Sequence, residues 1–276
     1  HYKKEKNKHP EESPKYNSAL SSLKINQRKY DDLYGKVNID FANGYGFIND
    51  YQEGNFIMSF YQAARNPQIQ EPKNPTKPQI QAKTSTRKLM TDQLLNFMSD
   101  LKIQEALARN EQQITEADNI KEWFANFENI LKNFFEDSAL KLLFNYRDYT
   151  FHIETKGKSF KFTELSDGFS AIIDIIADLI LKMQQKDTVV MDYKKPGIVL
   201  IDEIETHLHL QLQKSVLPLL TKLFPNIQFI ITTHSPFVLN SQPNTTAFDM
   251  EHHETITNLA DYSYQALTEG YFGVSS

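Results

Sequence analysis

The sequence contains no cysteine among its 276 residues. That absence excludes disulfides, thiolate metal ligands and a cysteine nucleophile, and it is typical of a protein kept in a reducing cytosol. No apolar run is long enough to span a bilayer, and the N-terminus lacks the pattern of a secretory signal. An initiator methionine is also missing, so we expect the sequence to be part of a longer chain. Together these absences predict a cytoplasmic location without membrane contact.

A net positive charge is absent too. The formal net charge is −5, with 40% hydrophobic and 24% charged residues, which is an ordinary globular composition. An acidic protein is not a general nucleic-acid coat, so any contact with DNA or RNA must be local. A local basic run lies between Arg65 and Lys88, where four prolines accompany six basic residues and one acid. We expect a long loop there that either contacts nucleic-acid phosphates or is simply solvated.

Hydrophobic periodicity predicts the order of helices and strands along the chain. Residues 1–35 are polar and predict loop or loosely packed helix. The rest predicts a strand at 55–61, helices at 88–108 and 120–136, a β-hairpin at 140–162, a helix at 171–183, a strand at 198–201, a helix at 208–223 and a strand at 227–232. Short apolar strands separated by helices indicate parallel crossover units, so the predicted fold class is α/β with a mainly parallel sheet.

Two carboxylates follow the strand at 198–201 directly. Ligands bind at the carboxyl ends of strands in open α/β sheets, which is where Asp202 and Glu203 emerge. Asp202 would hold the Mg²⁺ of a nucleotide, because a hard cation prefers oxygen ligands, and Glu203 would polarise an attacking water. On its own, a strand whose end happens to be acidic explains the pair as well.

Polar residues also follow two other predicted strands. His234 follows the strand at 227–232, from where it can reach a γ-phosphate and donate a hydrogen bond to it, although a single histidine is usually structural. Gln62 follows the strand at 55–61 and is a weak candidate for the same metal; the alternative is a surface glutamine. A third feature opens the helix at 171–183, where Ser166 and Gly168 leave backbone N–H groups approachable for an anion. A plain helix N-cap is the alternative there.

Three of these segments together resemble a known family. The series Leu165-Ser166-Asp167-Gly168, Leu200-Ile201-Asp202-Glu203 and Thr232-Thr233-His234-Ser235-Pro236 resembles the signature, Walker B and switch-histidine motifs of ATP-binding-cassette ATPases. It is most similar to the soluble branch that includes RecF, the structural-maintenance-of-chromosomes proteins, OLD nucleases and PtuA of the Septu defence system. The segment after Glu203 matches that branch's E-x-x-L-H-P pattern, except that Leu210 replaces the proline. The resemblance spans about residues 160–242.

The resemblance implies an ATPase head that binds Mg²⁺ and ATP. Its helical lobe carries the signature, and we expect a polar, partly ATPase segment at 1–88, a helical lobe and hairpin at 89–162, and an ATPase lobe at 163–276. Ser166 and Gly168 of one protomer would close over the γ-phosphate held by a second copy, in a homodimer that closes on binding ATP and opens on hydrolysis. Glu205, Thr206 and His207 would form the D-loop at the dimer seam.

The resemblance also implies a biological role and its alternatives. It predicts an ATPase acting on or near DNA or RNA in prokaryotic phage defence or DNA repair, with a nuclease or other effector protein as partner. One alternative is a slow, ATP-sensing module that regulates a partner. Another is the ATPase half of an OLD-type nuclease, whose cleavage residues would lie beyond Ser276. The E-x-x-L-H segment argues against a third, a transporter cassette.

One expected motif has no match in the sequence. The family requires a phosphate-binding loop of the form G-x-x-x-x-G-K-[ST], and Gly157-Lys158-Ser159 supplies only its tail, with His152 at the position of the first glycine. We interpret that segment as a hairpin turn and expect the loop elsewhere, before residue 1 or in a part that the sequence does not include. Asp174 and Asp178, one turn apart on the helix at 171–183, are predicted to form a solvated stripe.

Overall fold

The computed structural model describes residues 17, 18, 20–22, 24, 25, 44–64, 69–72, 93–184 and 193–271. The chain divides into two compact units, residues 1–47 and 48–276. Most of the polar segment at 1–35 and most of the basic run at 65–88 therefore lie outside the described residues. The elements below belong to the second unit, apart from the first residues of the opening helix.

The described elements are helices and strands in mixed order. In chain order they are α1 (Gly44–Glu53), β1 (Ile57–Tyr61), α2 (Leu94–Asn110), α3 (Ile114–Phe134), β2 (Lys141–Asn145), β3 (Thr150–Thr155), β4 (Lys158–Lys161), α4 (Asp167–Met183), β5 (Gly197–Ile201), α5 (Leu210–Leu223), β6 (Ile227–Ile231), α6 (Pro236–Leu239), β7 (Ala247–Asp249), β8 (Glu254–Ile256) and α7 (Tyr264–Tyr271). Single 3₁₀ turns lie at Phe162–Glu164 and Leu259–Asp261. None of these helices combines the length and the apolar character that crossing a bilayer requires.

A parallel three-stranded sheet forms the centre of the second unit. Its order is β1-β5-β6, and Tyr61, Ile201 and Ile231 are paired across it as the last residues of their strands. Alternate residues of β1 and β5 are buried on one face, as the two-residue repeat of a strand requires. This confirms the predicted α/β fold with a parallel sheet, and it brings the three strand ends to a common edge.

The helical lobe consists of α2, α3 and an antiparallel sheet. Trp123 is fully buried, stacks on Phe127 and meets Phe97 of α2 edge to face. These three aromatic residues therefore belong to the core of the lobe. Helix α3 begins at Ile114, six residues before the predicted start. Its first turns carry mostly exposed polar residues and bury only Ala117, so apolar periodicity could not show this start.

The antiparallel sheet has the order β2-β3-β4 and contains the predicted hairpin. Its second turn is Lys156-Gly157, with φ of 48° and 74°, the pair of positive values typical of a two-residue hairpin turn. Asp137 anchors the turn, accepting from the Thr155 hydroxyl at 2.6 Å and the Lys156 N–H at 3.0 Å. Gly157-Lys158-Ser159 therefore belongs to a hairpin, as interpreted from the sequence.

Helix α4 corrects the prediction for Asp174 and Asp178. Both are buried, with 3% and 0% exposure, and do not form a solvated stripe. The helix contacts β1, α2 and α5, so both of its sides are covered. Asp178 accepts from the Tyr61 hydroxyl at 2.7 Å and from Lys182 Nζ at 2.6 Å, and Lys182 also donates to the Ser59 hydroxyl at 2.8 Å. A helix that is apolar all round is a buried helix, and its few polar residues pair inside the protein.

Candidate functional site at the carboxyl edge of the sheet

The polar residues that follow β1, β5 and β6 lie along one edge of the sheet. The ladder continues one residue beyond the strands, since Asp202 N–H donates to Tyr61 O at 2.8 Å and Thr232 N–H donates to Ile201 O at 3.0 Å. Gln62 follows β1 and is exposed. The structure therefore brings Gln62, Asp202, Glu203 and the segment before His234 to the same edge, while the chemical roles of these residues stay predictions.

Thr232 connects two of the strand ends. Its hydroxyl donates to Asp202 Oδ1 at 2.6 Å and accepts from Glu203 N–H at 2.8 Å. The side chain of Thr232, which follows β6, thus fixes both the Asp202 carboxylate and the Glu203 backbone that follow β5. Sequence patterns predict no role for Thr232, and the one signal of it is a hydroxyl placed directly after an apolar strand.

Glu203 turns the chain sharply after β5. Its φ is 43°, in the left-handed region that a residue with a side chain rarely adopts. Thr206 stabilises the turn, donating from its N–H to Glu203 O at 3.0 Å and from its hydroxyl to Glu203 Oε2 at 3.3 Å. Strained backbone of this kind persists where surrounding contacts hold it, and it is frequent at functional sites. The turn leaves the Glu203 residue exposed at the sheet edge.

The segment around His234 is held by neighbouring backbone and side chains. Glu205 accepts from His234 N–H at 2.6 Å and from the Thr233 hydroxyl at 2.6 Å. Ser235 caps α6, accepting from the N–H groups of Phe237 and Val238, with Pro236 as the first helical residue. His234 itself is exposed. The backbone at His234 is therefore fixed by hydrogen bonds, while the histidine itself is exposed.

A second chain of hydrogen bonds ties this loop to the start of α5. The Ser235 hydroxyl donates to Gln213 Oε1 at 2.7 Å, and Gln213 Nε2 donates to Leu208 O at 2.7 Å. His209 caps α5, its ring nitrogen accepting from Leu212 N–H at 3.4 Å. The predicted helix from 208 thus begins two residues later, at Leu210, because the residue before it serves as the cap.

The predicted signature opens α4. Ser166 occupies the N-cap position and is exposed, whereas Gly168 is buried. A Cβ at Gly168 would lie 2.6 Å from the carbonyl oxygen of His207, so only glycine permits this approach. His207 has a φ of 67°. The start of α4 therefore packs against the segment predicted to be the D-loop, and both features are formed within one chain.

The residues at the sheet edge fit the magnesium ion that the sequence predicts. The Asp202 carboxylate and the Thr232 hydroxyl, 2.6 Å apart, are hard oxygen donors, and Mg²⁺ is usually bound by one or two carboxylates together with substrate phosphates. Within the described residues, no group of three or more His, Cys, Asp or Glu side chains is arranged to hold a metal. This donor set suits an ion that takes its other ligands from a phosphate.

Comparison with known proteins gives one extensive match and several partial ones. Residues 15–240 match the family described as "AAA domain, putative AbiEii toxin, Type IV TA system". The "Retron Ec83 probable ATPase" of Escherichia coli is 40% identical over 90 residues, 32% of this chain and 17% of that protein. The "Septu protein PtuA" of Bacillus mycoides is 40% identical over 79 residues, 29% of this chain and 11% of that protein.

A further relative extends the matched region. The "Retron Vc95 probable ATPase" of Vibrio cholerae is 35% identical over 116 residues, 41% of this chain and 21% of that protein. The chain thus spans only a small part of the length of the relatives that it matches. The family match, in contrast, covers well over half of the chain. The chain is also similar to the probable ATPases of two retrons and, as the ordered motifs predicted, to Septu PtuA, and it belongs to this AAA domain family.

Proposed function

We propose that the protein containing this chain binds Mg-ATP and hydrolyses it at the carboxyl edge of the parallel sheet. The observation that carries the proposal is the Thr232 hydroxyl, which bridges the Asp202 carboxylate and the Glu203 backbone at 2.6 and 2.8 Å. It fixes the Asp202 carboxylate and the Glu203 backbone at the edge where ligands of α/β sheets bind. The family match and the names of the relatives support the same activity.

Each residue at this edge has its own role in phosphoryl transfer to water. Asp202 would hold the magnesium ion, which would supply positive charge against the developing charge of the phosphate. Glu203 orients the attacking water and accepts its proton. His234 donates a hydrogen bond to the γ-phosphate, and Gln62 is a further oxygen ligand at the same edge. Catalysis here is positioning and electrostatic stabilisation, so fixed side chains are what the reaction needs.

A second copy of the chain completes the site in this proposal. Ser166 and the N-terminus of α4 supply N–H groups to the γ-phosphate bound by the other protomer, and Glu205, Thr206 and His207 lie at the seam. The exposure of Ser166 at a helix N-terminus supports this arrangement. Closure with ATP and opening after hydrolysis give a two-state element that a partner protein can read.

The test of the proposed activity is the variant Glu203→Gln in the full-length protein. It preserves shape and removes the negative charge, so ATP binding should persist while kcat falls by roughly 10²-fold or more. Glu122→Gln, at an exposed site on α3, is the matched control and should hydrolyse ATP like the wild type. Hydrolysis by Glu203→Gln at the wild-type rate would show that this residue is not the base.

The role we propose is phage defence on or near nucleic acid, through a nuclease or other effector partner. The Septu and retron names of the relatives support defence, and the basic run from Arg65 to Lys88 supports a local phosphate contact on an acidic protein. DNA or RNA binding by the full-length protein should weaken steeply with salt and change with ATP. No binding at low salt, with or without co-purifying partners, would favour the slow regulatory ATPase instead.

A further inference from the structure

Glu205 is joined to two consecutive residues at the end of β6. One carboxylate oxygen accepts from the N–H of His234 at 2.6 Å, and the other accepts from the hydroxyl of Thr233 at 2.6 Å. The Thr233 hydroxyl in turn accepts from the N–H of Ser235 at 3.0 Å. A single carboxylate therefore fixes the backbone on which the His234 side chain stands.

The backbone that carries this carboxylate is itself held on both sides. Ile204 is fully buried, and its N–H donates to Thr232 O at 3.3 Å. The carbonyl of Glu205 accepts from Leu208 N–H at 2.8 Å. Glu205 thus stands on a short segment anchored to the sheet at one end and closed by a turn at the other, and it is half-buried. A fixed acceptor of this kind can define the position of the loop that it binds.

The two hydrogen bonds to Glu205 are both 2.6 Å long, at the short end of the range for protein hydrogen bonds. The His234 side chain, in contrast, is exposed. The backbone bond to Glu205 and the cap at Ser235 are therefore what restrains the start of the histidine side chain.

We propose that Glu205 is a positioning residue, which holds His234 where its ring meets the terminal phosphate and does not itself contact the nucleotide. This rests on the proposed ATPase function. It also gives the segment of Glu205, Thr206 and His207 a task inside its own protomer, because movement of that segment moves His234 with it. Gly168 packs on the same segment, so the start of α4 shares this connection.

Two variants of Glu205 separate positioning from chemistry. Glu205→Gln keeps the shape and one oxygen acceptor for His234 N–H, while Glu205→Ala removes both bonds. In the full-length protein, Glu205→Ala should lower kcat by about 10- to 100-fold, the effect of a small misplacement of a reacting group. Its KM for ATP should stay within about threefold, and Glu205→Gln should recover most of the kcat. Equal loss in both variants would assign the charge a chemical role and overturn the proposal.

A double-mutant cycle checks the route of the effect. Thr233→Val removes one of the two donors without changing the size of the side chain. Because both residues act on the same loop, the kcat loss of the pair Glu205→Ala and Thr233→Val should be clearly smaller than the product of the two single losses. Losses that multiply fully would mean that Glu205 acts independently of this loop, which contradicts the proposal.

Hydrogen exchange gives a readout that needs no ATPase activity. In the full-length protein without nucleotide, Glu205→Ala should speed amide exchange in residues 233–235 by about 10-fold, the equivalent of one lost hydrogen bond. Exchange in α5 should not change, and Glu122→Ala should leave both regions as in the wild type. Unchanged exchange at 233–235 would overturn the positioning role. If the wild type hydrolysed no ATP, the proposed function would fail, while this measurement would still decide whether Glu205 holds the loop.

Discussion

The hydroxyl of Thr232 donates a hydrogen bond of 2.6 Å to the carboxylate of Asp202, across the ends of two neighbouring parallel strands. The same oxygen accepts from the N–H of Glu203 at 2.8 Å. Because one hydroxyl both donates and accepts here, its rotamer is fixed, and it fixes the carboxylate in turn. A side chain outside the predicted catalytic set thus determines where the predicted metal ligand lies.

The first prediction concerns this hydroxyl. Thr232→Val keeps the branched shape and removes both hydrogen bonds, so Asp202 loses its restraint. We expect ATP hydrolysis to fall by about 10-fold or more, with a higher Mg²⁺ concentration needed for half-maximal rate. Thr232→Ser should retain most of the activity because it keeps the hydroxyl. The rate is measured against Mg²⁺ concentration at saturating ATP.

A threonine elsewhere provides the control for that prediction. The hydroxyl of Thr221 donates to Leu217 O at 2.8 Å within α5, away from the sheet edge. Thr221→Val should leave the Mg²⁺ dependence unchanged. An unaltered Mg²⁺ dependence in Thr232→Val as well would remove Thr232 from the metal site.

The second prediction concerns sites shared between two chains. Ser166→Arg should block the signature of its own chain, and Asp202→Asn should disable the metal ligand of its own chain. Ser166 is the suitable position because it is exposed, whereas any side chain at Gly168 would collide with the His207 carbonyl 2.6 Å away and disturb the fold. Each variant alone should be inactive, and mixing them should restore up to one functional site per dimer.

Light scattering with and without ATP accompanies the mixing experiment. The wild type should form dimers in saturating ATP. A protein that stays monomeric in ATP and is fully active, or a mixture that recovers nothing although both variants fold, would exclude composite sites. Asp50→Asn, at an exposed position on α1, serves as a control that should be active alone.

The sequence predicted the sheet and its edge because both depend on local patterns. Short apolar strands followed by polar residues identify strand ends wherever the strands lie in the chain, and parallel strands bring those ends together. Gln62, Asp202 and the segment before His234 therefore came out at one edge as expected. The hairpin turn at Lys156-Gly157 was predictable for the same reason, since its glycine and its two flanking strands are adjacent in sequence.

The contacts that the sequence could not predict join residues far apart in the chain. Asp178 pairs with Tyr61 across 117 positions, and Glu205 pairs with His234 across 29. An aspartate in a helix has the same identity whether it faces water or a buried tyrosine, so the sequence alone favoured the solvated face for Asp174 and Asp178. The stronger signal was the apolar run on every side of them, which marks a helix buried all round.

The third prediction concerns the buried pair between α4 and β1. Asp178→Ala leaves the Lys182 ammonium buried without its carboxylate. Breaking a buried pair in this way should lower the free energy of unfolding by about 3–5 kcal/mol. Tyr61→Phe removes one hydrogen bond and should cost about 1–2 kcal/mol. Urea unfolding of the protein measures both.

An exposed pair provides the contrast. Arg109 lies 3.1 Å from Asp118, and the two side chains are 40% and 60% exposed. Asp118→Ala should change the free energy of unfolding by less than about 1 kcal/mol. If Asp178→Ala also changed the free energy of unfolding by less than about 1 kcal/mol, water would have to reach the buried pair.

The last prediction concerns Asp174 and pH. Burial raises the pKa of its carboxyl to about 7, and the neighbouring charge of Asp178 adds to the effect. In the unfolded chain an aspartate has a pKa of about 3.9. Between these two values the folded state keeps a proton that the unfolded state has lost, so this group's contribution to stability falls as pH rises from about 4 to about 7 and stays constant above that.

Other carboxylates change stability in the opposite direction. The pKa values of Asp137 and Asp249 are lowered by hydrogen bonds, chiefly from Thr155 and from His252, so their stabilisation is lost as pH falls. The effect of Asp174 must therefore be read from a difference between variants. Asp174→Asn cannot ionise, and relative to the wild type it should gain stability as pH rises from 5 to 8, by about 3 kcal/mol. Urea unfolding across that range, with Asp50→Asn as the exposed control, measures the gain. Parallel stability curves for the wild type and Asp174→Asn would show that Asp174 is ionised throughout, and the Tyr61–Asp178–Lys182 cluster would then have to accommodate a second buried negative charge.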